Sequence, residues 1–198
     1  MDQLSAELLD SLAGEVRGCR LCPLWMGRRN AVPGEGNPDA EVMFIGEGPG
    51  EDEDLQGRPF VGRSGKLLTE ALEKAGIRRE DVFITNVVKC RPPGNREPTP
   101  EETSVCTKNY LFRQIELVNP RLIVLLGSVA VKTLLNVSSV TAVRGKAFEK
   151  SGRRFFVTYH PAAALYNPAN KDVFFEDIRK AKELADSLRS FPRQSRLV

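Results

Sequence analysis

Apolar positions along the chain alternate between helical and extended spacing. Leu4, Leu8, Leu9, Leu12 and Val16 recur at helical intervals and predict an amphipathic helix over 3–17. Residues 41–45 (EVMFI) predict a short apolar strand that runs into Gly46-Glu47-Gly48-Pro49-Gly50. A helix over 64–75 follows, with Leu67, Leu68, Ala71 and Leu72 inward and Gly76 as its stop. Residues 82–86 predict a second, β-branched strand. Thr99-Pro100-Glu101-Glu102 then combines a capping threonine, a first-turn proline and a glutamate three residues on. That start opens a helix over about 100–118, which Asn119-Pro120 ends. Residues 122–126 predict a continuous buried strand, 128–135 a short helix, 155–158 a fourth strand and 171–189 a last helix before a basic tail.

Strands alternating with helices predict an α/β fold of three layers, a central, mostly parallel four-stranded sheet with helices on both faces. The 198 residues suit one domain over 1–190 with a flexible basic tail over 191–198. Sheets of this kind bind ligands beyond the carboxyl ends of their strands. Gly46–Gly50, Asn86 and His160 all fall at such ends.

Hydrophobic residues at 41% and charged residues at 28% exclude a globally disordered chain. The longest apolar run falls far short of the ~20 residues that span a bilayer. The acidic N-terminus lacks the basic and apolar regions of a signal peptide, so a soluble, cytoplasmic protein is expected. A net charge of +3 does not by itself mark a nucleic-acid binder. The single histidine, His160, excludes a two-histidine zinc site.

Four cysteines stand as Cys19-x2-Cys22, Cys90 and Cys106. In a reducing compartment two disulfides are the weaker alternative. The tight first pair and the spread second pair favour an iron–sulfur cluster over structural zinc, with unrelated buried cysteines as the third alternative.

Among the remaining groups, three glycines around Glu47 let the backbone approach a ligand, or simply make a tight turn. Residues 57–66 miss the spacing of a phosphate-binding P-loop, although the start of the helix at Ser64 suits one phosphate oxygen. Phe60, in a polar loop, is either a stacking platform or a core plug. Asn86 is a reader of polar edges or a cap, and His160 a hydrogen-bonding group or a structural one. Lys89, Arg91, Arg96 and Arg28-Arg29 crowd the loops near the cysteines, as phosphate contacts or as a solvated basic face.

Taken together, ordered blocks over about 19–168 resemble the iron–sulfur-containing family 4 uracil-DNA glycosylases of bacteria and archaea. These blocks are Cys19-x2-Cys22, Gly46-Glu47-Gly48-Pro49-Gly50-Glu51-x-Glu53-Asp54, Gly57-Arg58-Pro59-Phe60-Val61-Gly62-x-Ser64-Gly65, Thr85-Asn86-Val87-Val88-Lys89-Cys90-Arg91-Pro92-Pro93, Cys106 and Tyr159-His160-Pro161-Ala162-Ala163. The resemblance implies a structural 4Fe–4S cluster on Cys19, Cys22, Cys90 and Cys106. It also implies a monomer that removes uracil from DNA at the start of base excision repair.

In that family's pattern Phe60 stacks on the flipped base, Asn86 reads its edge, and Gly46, Glu47 and Gly48 add substrate contacts. His160 faces uracil O2, with Glu47 as the nearest carboxylate for catalysis. Ser64, Lys89, Arg91 and the wedge candidate Leu165, or its neighbour Tyr166, would meet DNA. Gly48 stands where the wider superfamily commonly has an aspartate, and Gly50 where a methyl-blocking tyrosine is found elsewhere. No lysine at these strand ends offers a Schiff-base nucleophile, so a monofunctional enzyme using water is expected. In the tail, Gln194-x2-Leu197 bears a faint likeness to a sliding-clamp peptide but lacks its aromatic pair. The rivals are a non-catalytic iron–sulfur DNA-binding module, a broader-range family 5-like glycosylase and a zinc-bound nucleotide hydrolase.

Overall fold

A computed structural model describes residues 3–193. The elements run α1 (Gln3–Gly18), β1 (Glu35–Gly36), β2 (Val42–Gly46), α2 (Glu51–Gln56), α3 (Arg63–Lys74), β3 (Phe83–Asn86) and α4 (Pro100–Cys106). A π turn over Thr107–Leu111 joins α4 to α5 (Phe112–Val118). Then come β4 (Leu122–Leu126), α6 (Ser128–Leu135), α7 (Val140–Val143), β5 (Ala147–Lys150), β6 (Arg153–Thr158), α8 (Pro161–Tyr166) and α9 (Pro168–Ser187).

The four expected strands are the parallel centre of the sheet, in the order β3-β2-β4-β6. Two antiparallel edge strands that the apolar pattern does not reveal extend it to six: β1 beside β3, and β5 beside β6. Their absence from the pattern has a physical cause. β1 is only two residues long, and β5 is mostly exposed and carries no buried stripe. The β5–β6 hairpin turns at Ser151-Gly152, both in the left-handed region, which matches the twist of paired strands.

Alternate strand residues feed two cores. Met43, Ile45, Ile123, Leu125 and Val157 pack with Leu12 and Val16 of α1, Ile115 of α5 and Val131 of α6. Val42, Phe44, Leu122, Val124 and Leu126 pack with Leu68 and Leu72 of α3 and with Phe174 and Ile178 of α9. A parallel sheet covered on both faces requires such unbroken apolar strands, and β2 and β4 are buried throughout. The inward stripe of α1 is narrower than expected: Leu9, Leu12 and Val16 are buried, whereas Leu4 and Leu8 are exposed.

The capping box opening α4 forms as anticipated. Glu102 N–H donates to Thr99 Oγ1 at 3.2 Å, and Thr99 N–H donates to the Glu102 carboxylate at 2.8 Å. α9 starts earlier than the apolar spacing suggests, because Asn167 caps Ala169 N–H at 3.1 Å and Pro168 occupies the first turn. The segment after His160, which carries the wedge candidates Leu165 and Tyr166, is the short helix α8. At the amino end of the sheet Arg193 pairs with Asp39 at 2.7 Å, and Arg121 donates to the Phe191 carbonyl. The Gln194-x2-Leu197 stretch lies outside the described residues. Among those described, no helix is long and apolar enough to cross a membrane.

Candidate active site and cysteine chamber

From β2 the chain moves to β3 on one side, and from β4 to β6 on the other. This reversal opens a crevice at the carboxyl ends of the central strands, as in other doubly wound sheets. Gly46, Asn86 and His160 meet around it. The Gly46–Gly50 loop is drawn along β3 by Val87 N–H to the Gly46 carbonyl (2.9 Å) and Val88 N–H to the Glu47 carbonyl (3.1 Å). Only glycine allows this approach. A Cβ on Gly46 would stand 2.4 Å from Phe60 Cζ and 2.6 Å from Asn86 Oδ1, and one on Gly48 would stand 2.7 Å from Val88 Cγ2. The result is a chamber of about 260 Å³ lined by Glu47, Gly48, Phe60, Ser64, Asn86 and His160, with Glu53, Asn95, Arg96 and Ala162 around them.

Asn86 is 1% exposed, and its Oδ1 has no hydrogen-bond partner. A buried amide oxygen left unpaired costs about 1–3 kcal/mol. A ligand N–H in the chamber would satisfy it. Phe60 is buried at φ +49°, a backbone conformation costly for a bulky residue. Its ring lies 5.7 Å from that of His160, at 32°.

His160 lies two residues beyond β6 and caps α8. Its Nδ1 accepts from Ala162 N–H at 3.2 Å, so in the neutral ring Nε2 carries the proton. Burial pushes the pKa of His160 down to about 4. Burial raises that of Glu47, and the charge of Glu97 adds to the rise.

One residue of the matching blocks, left without a role by sequence reasoning, also shapes the site. Glu53, though 8% exposed, accepts from the backbone N–H groups of Gly50, Val61 and Gly62 at 2.8–3.1 Å, joining the glycine loop to the Phe60 loop. No local sequence signal marks this role, because the bonds to Val61 and Gly62 form only once the two loops meet.

Of the groups expected at DNA, Ser64 lines the chamber at the start of α3. Arg91 Nε donates to Asn95 Oδ1 at 2.7 Å, with Glu51 3.9 Å from its guanidinium. Leu165 is partly buried against the α3/α9 core, whereas Tyr166 beside it is 83% exposed. Lys89 requires a correction: it is 1% exposed and does not reach the surface. Its Nζ donates to Thr85 Oγ1, the Asn86 carbonyl and Gln114 Oε1 at 2.6–2.7 Å, and burial pushes its pKa down to about 7.

Cys19, Cys22, Cys90 and Cys106 line one narrow chamber with Val16, Leu24, Val105 and Tyr110. Donors face the sulfurs: Arg28 Nη1 lies 3.1 Å from Cys90 Sγ, and Leu21 N–H lies 3.5 Å from Cys19 Sγ. Burial raises the thiol pKa values of Cys22 and Cys90 and pushes that of Cys106 up to about 12. These thiols therefore lose their protons only to a cation that binds them. Among the described residues no three His, Cys, Asp or Glu side chains close on a single-ion position. The four thiols line this one narrow space, and by the chemistry of its donors such a set suits iron–sulfur or zinc.

Comparison with known proteins is consistent over nearly the whole chain. Residues 33–182 match the family model of the uracil DNA glycosylase superfamily. A type-4 uracil-DNA glycosylase of Sulfurisphaera tokodaii is 50% identical over 187 residues, covering 89% of this chain and 84% of that protein. One from Thermotoga maritima is 50% identical over 181 residues, covering 89% and 94%. A type-5 uracil-DNA glycosylase of Thermus thermophilus is 31% identical, covering 86% and 95%.

Proposed function

The chain belongs to the uracil-DNA glycosylase superfamily and, within it, to the type-4 enzymes, and from this we propose that it excises uracil from DNA as a monofunctional glycosylase acting through Asn86, His160, Phe60 and Glu47. It is a hydrolase of N-glycosyl bonds, and its reaction opens DNA repair.

The orphaned Oδ1 of Asn86 carries the residue assignment. A base must leave the stack before its glycosidic bond can be attacked. In the chamber, Asn86 Oδ1 accepts from uracil N3–H while its amide N–H2 donates to O4. Cytosine reverses both demands and leaves buried polar groups unpaired, which can discriminate by ~10⁴-fold. Phe60 stacks on the ring.

As the glycosidic bond breaks, its electron pair moves onto the base, and negative charge gathers at O2. His160 Nε2–H donates to that oxygen, and because the ring is neutral it keeps its proton. Water attacks the cationic sugar carbon, and the proton it sheds passes through solvent to neutralise the departing uracil anion. Glu47 is the nearest carboxylate at the mouth of the glycine loop to stabilise the charge and hold that water. At the surface, Ser64 and Arg91 suit phosphate contacts, and the exposed Tyr166 fits the vacated stack better than the half-buried Leu165.

The cysteine chamber supports a 4Fe–4S cluster held by Cys19, Cys22, Cys90 and Cys106. When bound, it supplies a structural tie between α1, the loop after β3 and α4. The test is uracil release by anaerobically purified protein from matched oligonucleotides carrying U, T or C, with and without alkali. Scission at U alone, and only after alkali, is expected. Absence of release from any uracil substrate, by protein that still binds DNA, would favour the binding-module alternative.

A further inference from the structure

We propose that Arg79, which lies outside the base chamber, is a positioning residue that fixes Phe60 in its stacking pose. The inference rests on the stacking role given to Phe60 above, and it begins from that residue's backbone. A phenylalanine at φ +49° persists only where its surroundings impose the conformation.

The peptide groups on both sides of Phe60 are held by opposite charges. Arg79 Nη1 donates to the Phe60 carbonyl at 3.1 Å, and Nη2 donates to the Pro59 carbonyl at 2.6 Å. The following amides, of Val61 and Gly62, donate to Glu53. Arg79 is itself anchored by Thr69 Oγ1 at 3.0 Å and by Glu35 on β1 at 3.2 Å, and its side chain is 19% exposed. Phe60 is 5% exposed, and its ring packs in the α3/α9 core, close against Gly46. Phe60 lines the base chamber and also a second cavity of about 420 Å³, which Lys66, Thr69 and Arg79 line as well. The backbone clamp adds to that packing by holding the peptide groups on both sides of the ring. The fork of a guanidinium spans two successive carbonyls, which a lysine ammonium does not.

The test compares Arg79→Met, Phe60→Ala, the double variant and Glu35→Gln in single-turnover uracil release across a range of DNA concentrations. A stacking contact acts before and during bond cleavage, so its loss moves half-saturation more than maximal rate. Arg79→Met should raise the half-saturating concentration by about tenfold with maximal rate within about threefold of wild type. In the Phe60→Ala background the same change should add nothing further, the non-additivity expected of one functional unit. Glu35→Gln removes the ion pairs of Glu35 with both Arg58 and Arg79 but leaves the carbonyl bonds, so it reports loss of stability without a shift in half-saturation.

Amide hydrogen exchange at Val61 and Gly62, measured without DNA, should quicken in Arg79→Met. An unchanged half-saturation in Arg79→Met, an equal further loss in the Phe60→Ala background, or unaltered exchange at those amides would overturn the proposal. If the wild-type protein releases no uracil, the parent assignment falls, while the exchange measurement still judges the clamp.

Discussion

Replacing His160 by alanine isolates the electrostatic part of the reaction. Nδ1 is engaged by Ala162 N–H, so Nε2–H is the one donor the ring can offer the departing base. Burial holds the pKa of His160 near 4, so the ring is neutral at pH 7 and its proton stays in place through the reaction. A preorganised donor at a developing oxyanion is worth ~10²–10³-fold, about 2.7–4 kcal/mol. Because O2 becomes negative only as the bond breaks, the loss should fall on maximal rate, with half-saturation little changed.

The assay is single-turnover uracil release between pH 4.5 and 8.5. With its pKa lowered to about 4, His160 contributes no limb near its ordinary 6.5. Any acid-side limb should belong to Glu47, whose pKa is raised: rate climbs with pH as its carboxylate ionises, at a midpoint above 4.5. Glu47→Gln should abolish that limb, and His160→Ala should lower the plateau while keeping it. The same histidine shift acts on stability. The unfolded chain takes up a proton as pH falls through 6.5 while the folded ring resists until about 4, so stability is lost progressively across that window. A His160→Ala loss below about tenfold, or a wild-type limb near pH 6.5 that vanishes in that variant, would refute the neutral-donor reasoning.

Asn86→Leu keeps the branched side-chain skeleton but removes the two hydrogen bonds proposed to the base, and should cost uracil release about 10²-fold and narrow discrimination against cytosine; equal selectivity in competition assays would count against edge reading. Gly65→Ala would place a Cβ 2.0 Å from the Phe60 carbonyl carbon and oxygen. That collision is with backbone, so about 1–3 kcal/mol of stability should be lost, seen in calorimetry as a fall of about 2–4 °C per kcal/mol. Cys22→Ser should abolish bound iron and visible absorbance and lower the melting temperature; zinc in place of iron in the wild-type protein would contradict the cluster assignment.

The sequence carried the parallel frame and the chemistry at its strand ends, because both depend on local pattern. Residues 122–126 can only be a strand buried on both faces, and Thr99-Pro100-Glu101-Glu102 only a helix start. The edge strands escaped because β1 and β5 bury no stripe of their own. Lys89 misled because its type suggests a surface cation. Its burial depends on oxygens that the fold brings in from β3 and from Gln114 on α5, 25 residues away. Arg79 was silent, and Glu53, though inside a matching block, had no legible role, because a brace between loops has no periodicity.

These braces explain how the site tolerates its own costs. An unpaired Asn86 oxygen and a left-handed Phe60 are both costly. Arg79 and Glu53 hold the peptide groups around Phe60, and the Asn86 carbonyl joins a buried polar network. Thr85 Oγ1 donates to the Pro33 carbonyl, Gln114 Nε2 donates to the same oxygen, and Lys89 joins Thr85, Gln114 and the Asn86 carbonyl. Lys89 also borders the cysteine chamber. Lys89 therefore stands between the Asn86 backbone and the cysteine chamber, so Cys106→Ser should be felt at Asn86 as well as in its own helix, read as faster amide exchange along β3.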